Sequence, residues 1–305
     1  MCQAPISLSV SPKQPYQCLQ QSRFNLNVST LVIGCRDLAK GEAAKEAIAG
    51  RRAGADRILV WKLDMADYNS VKSFSHKVVN DLRRVDAVLA NAGISTNQFA
   101  LAEGLEQTLT VNVVSTFLLS ELCLPALERT AKSNGSPTHL TIVGSNVHAF
   151  ADPTSLTAFP RGQVLPSLSD ENSADMTGPY FLSKLLVQLC AQELAAQNPK
   201  SERSGGVPSV IVNCPSPGWC KTPLFRHDDG GAIGRNMLRL IGRTGEVGAR
   251  TLVSAMTAGP ETHGEYLSES QVKNASVWVR SDEGKRVQKE AWNELQETLR
   301  RIVDH

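Results

Sequence analysis

The first glycine of this 305-residue chain is Gly34. A glycine-rich turn, whose bare backbone lets main-chain N–H groups close around a phosphate, therefore has no place in residues 1–33. The seven cysteines (Cys2, Cys18, Cys35, Cys123, Cys190, Cys214 and Cys220) include no CxxC pair, and no HExxH occurs, which argues against a zinc site. Their odd number and scatter point to free, mostly buried thiols in a reducing compartment. Uninterrupted apolar runs of about 18 residues are also missing, so no membrane span is expected. The nearest stretch, Val111–Leu127, is broken by Asn112, Ser115, Ser120 and Glu121 and reads as a buried helix. Residues 1–25 lack a basic start leading into an apolar segment, so they do not read as a secretory leader, and a cytoplasmic protein is expected. The NxS/T triplets at Asn27, Asn134 and Asn274 are then chance matches. Charge of one sign is lacking too: 32 Lys and Arg against 30 Asp and Glu leave a net charge of +2. That argues against a nucleic-acid partner bound by phosphate neutralisation and leaves a small-molecule substrate open.

From residue 29 onward, short apolar runs alternate with amphipathic stretches of helix length. Strands are expected at Ser29–Gly34, Arg57–Lys62, Asp86–Ala90, Thr138–Gly144, Ser209–Asn213 and, briefly, Glu265–Leu267. Helices are expected at Lys40–Gly50, from an Asp67 cap to about Leu82, and over about Gly104–Arg129. Three more follow, at about Gly178–Gln197, Glu246–Ala258 and Glu283–Val303. Such alternation implies right-handed crossovers and an α/β fold with a doubly wound parallel sheet, Rossmann-like, in one domain spanning residues 29–305. Residues 1–28, with Pro5, Pro12 and Pro15, read as an atypical and poorly ordered N-terminal segment.

Ligands of doubly wound sheets bind outside the carboxyl ends of the strands, so the residues that follow each strand carry the functional argument. Cys35-Arg36-Asp37 follows the first clear strand; a guanidinium there favours a ribose 2′-phosphate, or Arg36 is a solvated loop residue. Asp64 follows the second, placed to accept from an adenine amino group or to cap a turn. Asn91-Ala92-Gly93 follows the third, where small residues admit a ligand close to the backbone. Ser145 follows the fourth, where its hydroxyl can meet a substrate oxygen. Tyr180 and Lys184 stand four apart on a helix and share a face, so that an ammonium would lower the pKa of a neighbouring phenol and poise it to trade a proton with a carbonyl or alcohol. Pro215-Ser216-Pro217-Gly218 then stiffens a chain reversal, Thr222 can meet a ligand amide, and residues 223–245 read as a mobile lid.

Each signal is weak alone, but they occur together and in order. The segments Cys35-Arg36-Asp37, Leu63-Asp64, Asn91-Ala92-Gly93, Val111-Asn112 and Tyr180-Phe181-Leu182-Ser183-Lys184 resemble the short-chain dehydrogenase/reductase family, in particular its retinol-dehydrogenase-like branch of fungal type. The resemblance runs from about residue 27 to 303. It implies an NADP-preferring oxidoreductase, with NAD the second choice, that interconverts an alcohol and a ketone or aldehyde. It makes Tyr180 the general acid or base, with Lys184 lowering its pKa and holding the nicotinamide ribose. Ser145 would orient the substrate oxygen and Asn112 hold a water that relays the proton. Arg36, Asp64, Asn91, Gly93 and Thr222 would line the cofactor. Trp219, Phe225, Met237 and Leu238 suggest an apolar substrate, unless they are core. Fungal members of this branch often serve secondary-metabolite pathways. The helices at 104–129 and 178–197 form dimer faces in the family, which makes a homodimer an option.

One departure stands out. The family opens with a strand, a TGxxxGxG turn and a helix, and the turn is absent here. The first strand and phosphate loop are therefore expected to be atypical or missing. Ile6–Val10 could serve as the strand, but it leads into Ser11-Pro12-Lys13-Gln14-Pro15, where two prolines lack amide protons. The abrupt change near residue 25 fits an altered N-terminus better than gradual decay. The competing reading is a non-catalytic Rossmann-like binding or scaffold protein without its phosphate loop.

Overall fold

A computed structural model describes residues 6–10, 29–49, 58–172, 174–176, 178–198, 206–220 and 243–304. Eight strands form one sheet: β1 (Ile6–Val10), β2 (Thr30–Cys35), β3 (Ile58–Lys62), β4 (Ala87–Ala90), β5 (Thr138–Ile142), β6 (Val210–Ser216), β7 (Tyr266–Ser268) and β8 (Gln271–Lys273). Their spatial order is β8-β7-β6-β5-β4-β1-β2-β3, parallel throughout except for the terminal β7–β8 pair. β4, the middle of β2 and the first half of β6 are runs of Val, Ile, Leu and Ala, as a sheet covered on both sides favours, whereas β1 (Ile6-Ser7-Leu8-Ser9-Val10) and β5 (Thr138–Ile142) carry polar residues. All of β4 and β6 is buried.

The first strand is therefore present rather than missing, although its sequence is atypical. Ile6–Val10 pairs with β2 on one side and β4 on the other, with Leu8 in register with both Val32 and Val88. Ile6–Val10 thus lies inside the sheet, between β2 and β4. The residues that follow it, 11–28, lie outside the described residues. The strand order turns back between β1 and β4, and that reversal opens the crevice at the sheet's carboxyl edge where ligands bind.

Helices cover both faces: α1 (Leu38–Ala49), α2 (Tyr68–Asp81), α3 (Ser115–Asn134), α4 (Pro179–Gln197), α5 (Gly245–Ala255) and α6 (Asp282–Asp304). Asp67 caps α2 as expected, its carboxylate accepting from Ser70 N at 3.1 Å. Pro179 opens α4 at the one turn where a missing N–H costs nothing. The helix expected from Gly104 starts later. Leu101–Ala102 and Leu105–Glu106 form a small hairpin, with Glu103 and Gly104 at positive φ in its turn, and helix begins only at Gln107. Among the described residues, Gln107–Asn134 is the one helix long and apolar enough to cross a membrane, and 78% of its apolar window is buried inside the protein. It is the core helix of the sheet's covering layer.

The closing helix α6 lies over α3 and α4. Trp292 meets Phe117 edge-on, with ring centroids 6.0 Å apart. Gln288 donates to Glu193 at 2.6 Å, Lys285 to Gln192 at 3.2 Å, and Gln296 to Glu121. The same helix anchors the long connection between β5 and α4. Buried Glu294 accepts from Val164 N and Leu165 N at 3.1 and 2.7 Å, at the start of the short helix Val164–Ser167. Ser169 closes the far side, accepting from Glu106 N at 2.8 Å. The middle of this connection is thus core, with Leu156, Val164, Leu165 and Leu168 buried. Removing the carboxylate in Glu294→Ala strands two buried N–H groups. It is expected to cost about 3 kcal/mol, with Glu294→Gln, which keeps one acceptor, losing roughly half as much. Thermal and urea unfolding of the two variants checks this order; equal stability of all three proteins would contradict it.

Candidate active site

The residues singled out at the strand ends gather at one edge of the sheet. Val143 N continues the ladder to Ala90 O at 3.0 Å, so the residues after β4 and β5 emerge side by side. From β4 comes Asn91-Ala92-Gly93, from β5 comes Ser145, and α4 brings Tyr180 and Lys184 across them. Tyr180, buried, shares a hydrogen bond between its hydroxyl and that of Ser145. Lys184 is also buried; its Nζ lies 5.8 Å from the Tyr180 ring centroid and gives one of its three protons to Val143 O at 2.7 Å. Cys220, just past the β6 reversal, stands near enough to Tyr180 to act on its charge.

Electrostatics in this cluster differ from the expectation. The ammonium was expected to pull the phenol's pKa down, but burial outweighs the hydrogen bond from Ser145, and the Tyr180 pKa is raised. The phenol is consequently protonated across the neutral range. Burial acts on Lys184 in the same way, disfavouring its charged form and bringing its pKa down to about 8, against an opposite pull from Cys214.

Asn112 occupies a π-helical turn, Thr110–Val114, that precedes α3. The widened turn sends its side chain toward the residues after β4. Its Oδ1 accepts from Ile94 N at 2.8 Å, and its Nδ2 donates to Ile94 O and to Ser183 Oγ, both at 2.9 Å. Both amide protons are committed, so the side chain works as a clamp between the β4 loop and α4. A water-holding role for the side chain is left one lone pair of Oδ1. Gly93 leaves room for that clamp: a Cβ there would crowd Asn112 Oδ1 at 3.3 Å, with Lys184 Nζ in ordinary contact at 3.9 Å. Ser183, given no role of its own in the Tyr180–Lys184 segment, is its other jaw and itself donates to Tyr180 O at 2.8 Å.

The outer residues fall as follows. Arg36 is exposed at the end of β2, and its carbonyl accepts from Lys62 Nζ at 2.8 Å. Asp64 follows β3 but is engaged in its own turn, with Oδ1 accepting from Ala66 N at 3.1 Å. Asn91 is half-buried beside Gly93. The β6 reversal is held by Ser216, whose Oγ accepts from Asn146 N at 3.0 Å and Gly218 N at 3.3 Å, while Gly218 takes the positive φ of 79° that the turn requires. Thr222, Phe225, Met237 and Leu238, with most of the expected lid, lie outside the described residues. Among the described residues no cluster of three His, Cys, Asp or Glu could hold a metal.

This strand order, with a hydroxyl, a phenol and an ammonium at the carboxyl edge, defines a doubly wound α/β architecture of the nucleotide-binding type. Comparison with known proteins makes the class specific. A family model described as short chain dehydrogenase matches residues 26–145. A short chain dehydrogenase/reductase of a Cryptosporiopsis species is 40% identical over 278 residues, covering 90% of this chain and 83% of that protein. A short-chain dehydrogenase of Penicillium roqueforti is 36% identical over 280 residues, covering 90% and 72%. The structure of an NADPH-bound carbonyl reductase from chicken fatty liver superposes with a TM-score of 0.62 at 16% identity, covering 89% of this chain and 99% of that one, a likeness of fold. The chain belongs to the short-chain dehydrogenase/reductase family.

The family works with NAD(P), and the nicotinamide end of such a cofactor fits this edge. The glycine gap at Gly93, the buried ammonium of Lys184 and the protonated phenol of Tyr180 adjoin one another there. The place for its pyrophosphate, past β1, falls outside the described residues.

Proposed function

We propose that this protein is an NADP-preferring oxidoreductase that interconverts an alcohol and a ketone or aldehyde on an apolar small molecule. The observation that carries the reading is the shared hydrogen bond between Tyr180 and Ser145 with the Lys184 ammonium behind them. The cofactor, when bound, supplies or accepts the hydride. Ser145 Oγ orients the substrate oxygen against the Tyr180 hydroxyl. Tyr180, protonated at neutral pH, donates its proton to the carbonyl oxygen during reduction. Lys184 keeps positive charge next to the phenolate that forms and binds the nicotinamide ribose, with Asn91 and Gly93 along the cofactor. Burial holds the phenol in its protonated form, which is the form that carbonyl reduction uses.

Exposed Phe150, five residues beyond Ser145, and Trp219, beside Cys220, support an apolar substrate. The similarity to fungal short-chain dehydrogenases supports a place in a secondary-metabolite pathway. Arg36 supports NADP, since its guanidinium stands at the end of β2, where the 2′-phosphate of the adenosine ribose would lie. Arg36→Ala is expected to weaken NADPH binding by about tenfold or more and leave NADH binding unchanged, a charge-assisted hydrogen bond being worth roughly 1.5–3 kcal/mol. Titration of both cofactors into both proteins checks this, and an unchanged preference would remove Arg36 from the account. The cover that α6 gives α3 and α4 favours a monomer at the face the family uses for dimers. Light scattering on the purified protein is expected to give a single-chain mass, and a dimer mass would contradict this.

A further inference from the structure

His148 lies three residues past Ser145, in the 3₁₀ turn Asn146–Phe150, and is 3% exposed. Its Nδ1 is 2.7 Å from Ser145 O, and its Nε2 is 3.1 Å from the main-chain N of Ser276. A backbone N–H can only donate, so Nε2 must accept and carries no proton. A carbonyl oxygen can only accept, so Nδ1 carries the proton and donates it. The two partners together leave one protonation state, the neutral ring with hydrogen on Nδ1. An imidazolium would set an Nε2 proton against the Ser276 N–H, and burial likewise lowers the pKa of this ring.

The contact matters because of the peptide unit it grips. Ser145 O also accepts from His148 N, but at 3.3 Å, so the short bond to this carbonyl is the imidazole's. The other end of the same peptide unit, Asn146 N, is held at 3.0 Å by Ser216 Oγ. Tyr266 joins the two grips: its ring meets His148 edge-on at 5.0 Å, and its hydroxyl bonds Ser216. The peptide that sets the direction of the Ser145 side chain is thus fixed at both ends, by the nearby His148, itself tied to distant Ser276, and by Ser216 from β6. One grip leads to β6, the other to the start of the short helix Val277–Arg280.

We infer that His148 is a positioning residue: as the neutral Nδ1–H form it links the Ser145 carbonyl to Ser276 and thereby aims the Ser145 hydroxyl at the substrate oxygen. The inference rests on the proposed role of Ser145 in carbonyl reduction. Two substitutions separate the two hydrogen bonds. His148→Asn places an amide donor where Nδ1 stands and loses the reach to Ser276; His148→Gln reaches toward Ser276 and loses the short bond to Ser145. If His148 aims Ser145, the Asn variant keeps kcat within about threefold, while the Gln variant loses about 10- to 100-fold in kcat, the usual effect of misplacing a reacting group by an ångström or so. NADPH affinity is expected to be unchanged in both. A merely structural histidine would lower Tm in both variants and leave their kcat values alike, which would overturn the inference. The ring itself is read without any turnover, from the long-range ¹H–¹⁵N spectrum of the wild-type side chain, with His148→Asn identifying the signal. The Nδ1–H tautomer is expected, and an Nε2–H tautomer or an imidazolium at neutral pH would overturn the bridge. Absence of turnover by wild type with any cofactor would overturn the oxidoreductase reading and the aiming role together, whereas an Nε2–H signal in an active enzyme would defeat the bridge alone.

Discussion

Replacing Tyr180 by Phe is expected to lower turnover by about a thousandfold or more, roughly 4 kcal/mol of transition-state stabilisation. The substitution removes one oxygen atom from a side chain already packed in the interior and leaves the volume of the ring in place. The fold and NADPH affinity should therefore persist, with Tm within a few degrees of wild type and cofactor Kd within about threefold. What disappears is the proton donor and its hydrogen bond with Ser145. Steady-state kinetics with whichever ketone or aldehyde wild type reduces, together with a fluorescence titration of NADPH, separates the two effects. Retention of more than a tenth of the activity would show that the proton comes from another group.

The second large effect concerns Lys184. Burial brings its pKa to about 8, so the ammonium that faces Tyr180 begins to lose its proton within the accessible pH range. The sign follows directly: the group is charged below this value and neutral above it. The kcat/KM for reduction, which reports the free enzyme, should be flat below pH 7 and fall as pH passes through about 8. Lys184→Met removes the charge at every pH. It is expected to cost about 10²- to 10³-fold in kcat/KM, to weaken cofactor binding, and to abolish the break near pH 8. A variant that kept the break would assign it to a different group, and one with wild-type activity would take Lys184 out of the site.

The path from sequence to site was uneven, and the reasons are physical. The parallel strands were readable because a strand buried on both faces has no choice but a continuous apolar run, as in Leu31-Val32-Ile33 and Val210-Ile211-Val212. Tyr180 and Lys184 were readable because their four-residue spacing is a property of the helix itself. The start of the helix after β4 was not. Leu101-Ala102-Glu103-Gly104-Leu105-Glu106 has a helix-like composition, and its hairpin depends on tertiary contacts such as the bond from Tyr68 N to Glu103. The π turn that aims Asn112 leaves no mark on the sequence, so the residue was found while its use as a clamp was not. The pKa of Tyr180 was misjudged for a related reason: spacing places the ammonium near the phenol, but the depth of burial, which decides the sign, is set by the whole site. His148 and Ser216 were missed because their partners lie 128 and 70 positions away. Their one local signal is that each sits at or just past the end of a buried strand. The amphipathic pattern of α6 shows that it has an apolar face, but not that Phe117 and the short helix at Val164 are what the face covers.

The most direct test of the account is to supply purified protein with NADPH carrying deuterium at the reacting carbon, together with a panel of apolar ketones and aldehydes, and to weigh the products. The expected result is an alcohol one mass unit heavier than its unlabelled counterpart, with the label on the former carbonyl carbon, formed by wild type and not by Tyr180→Phe. Unlabelled alcohol, or no alcohol from any member of the panel when NADPH binding has been verified, would contradict the claim that this site moves a hydride between cofactor and carbonyl.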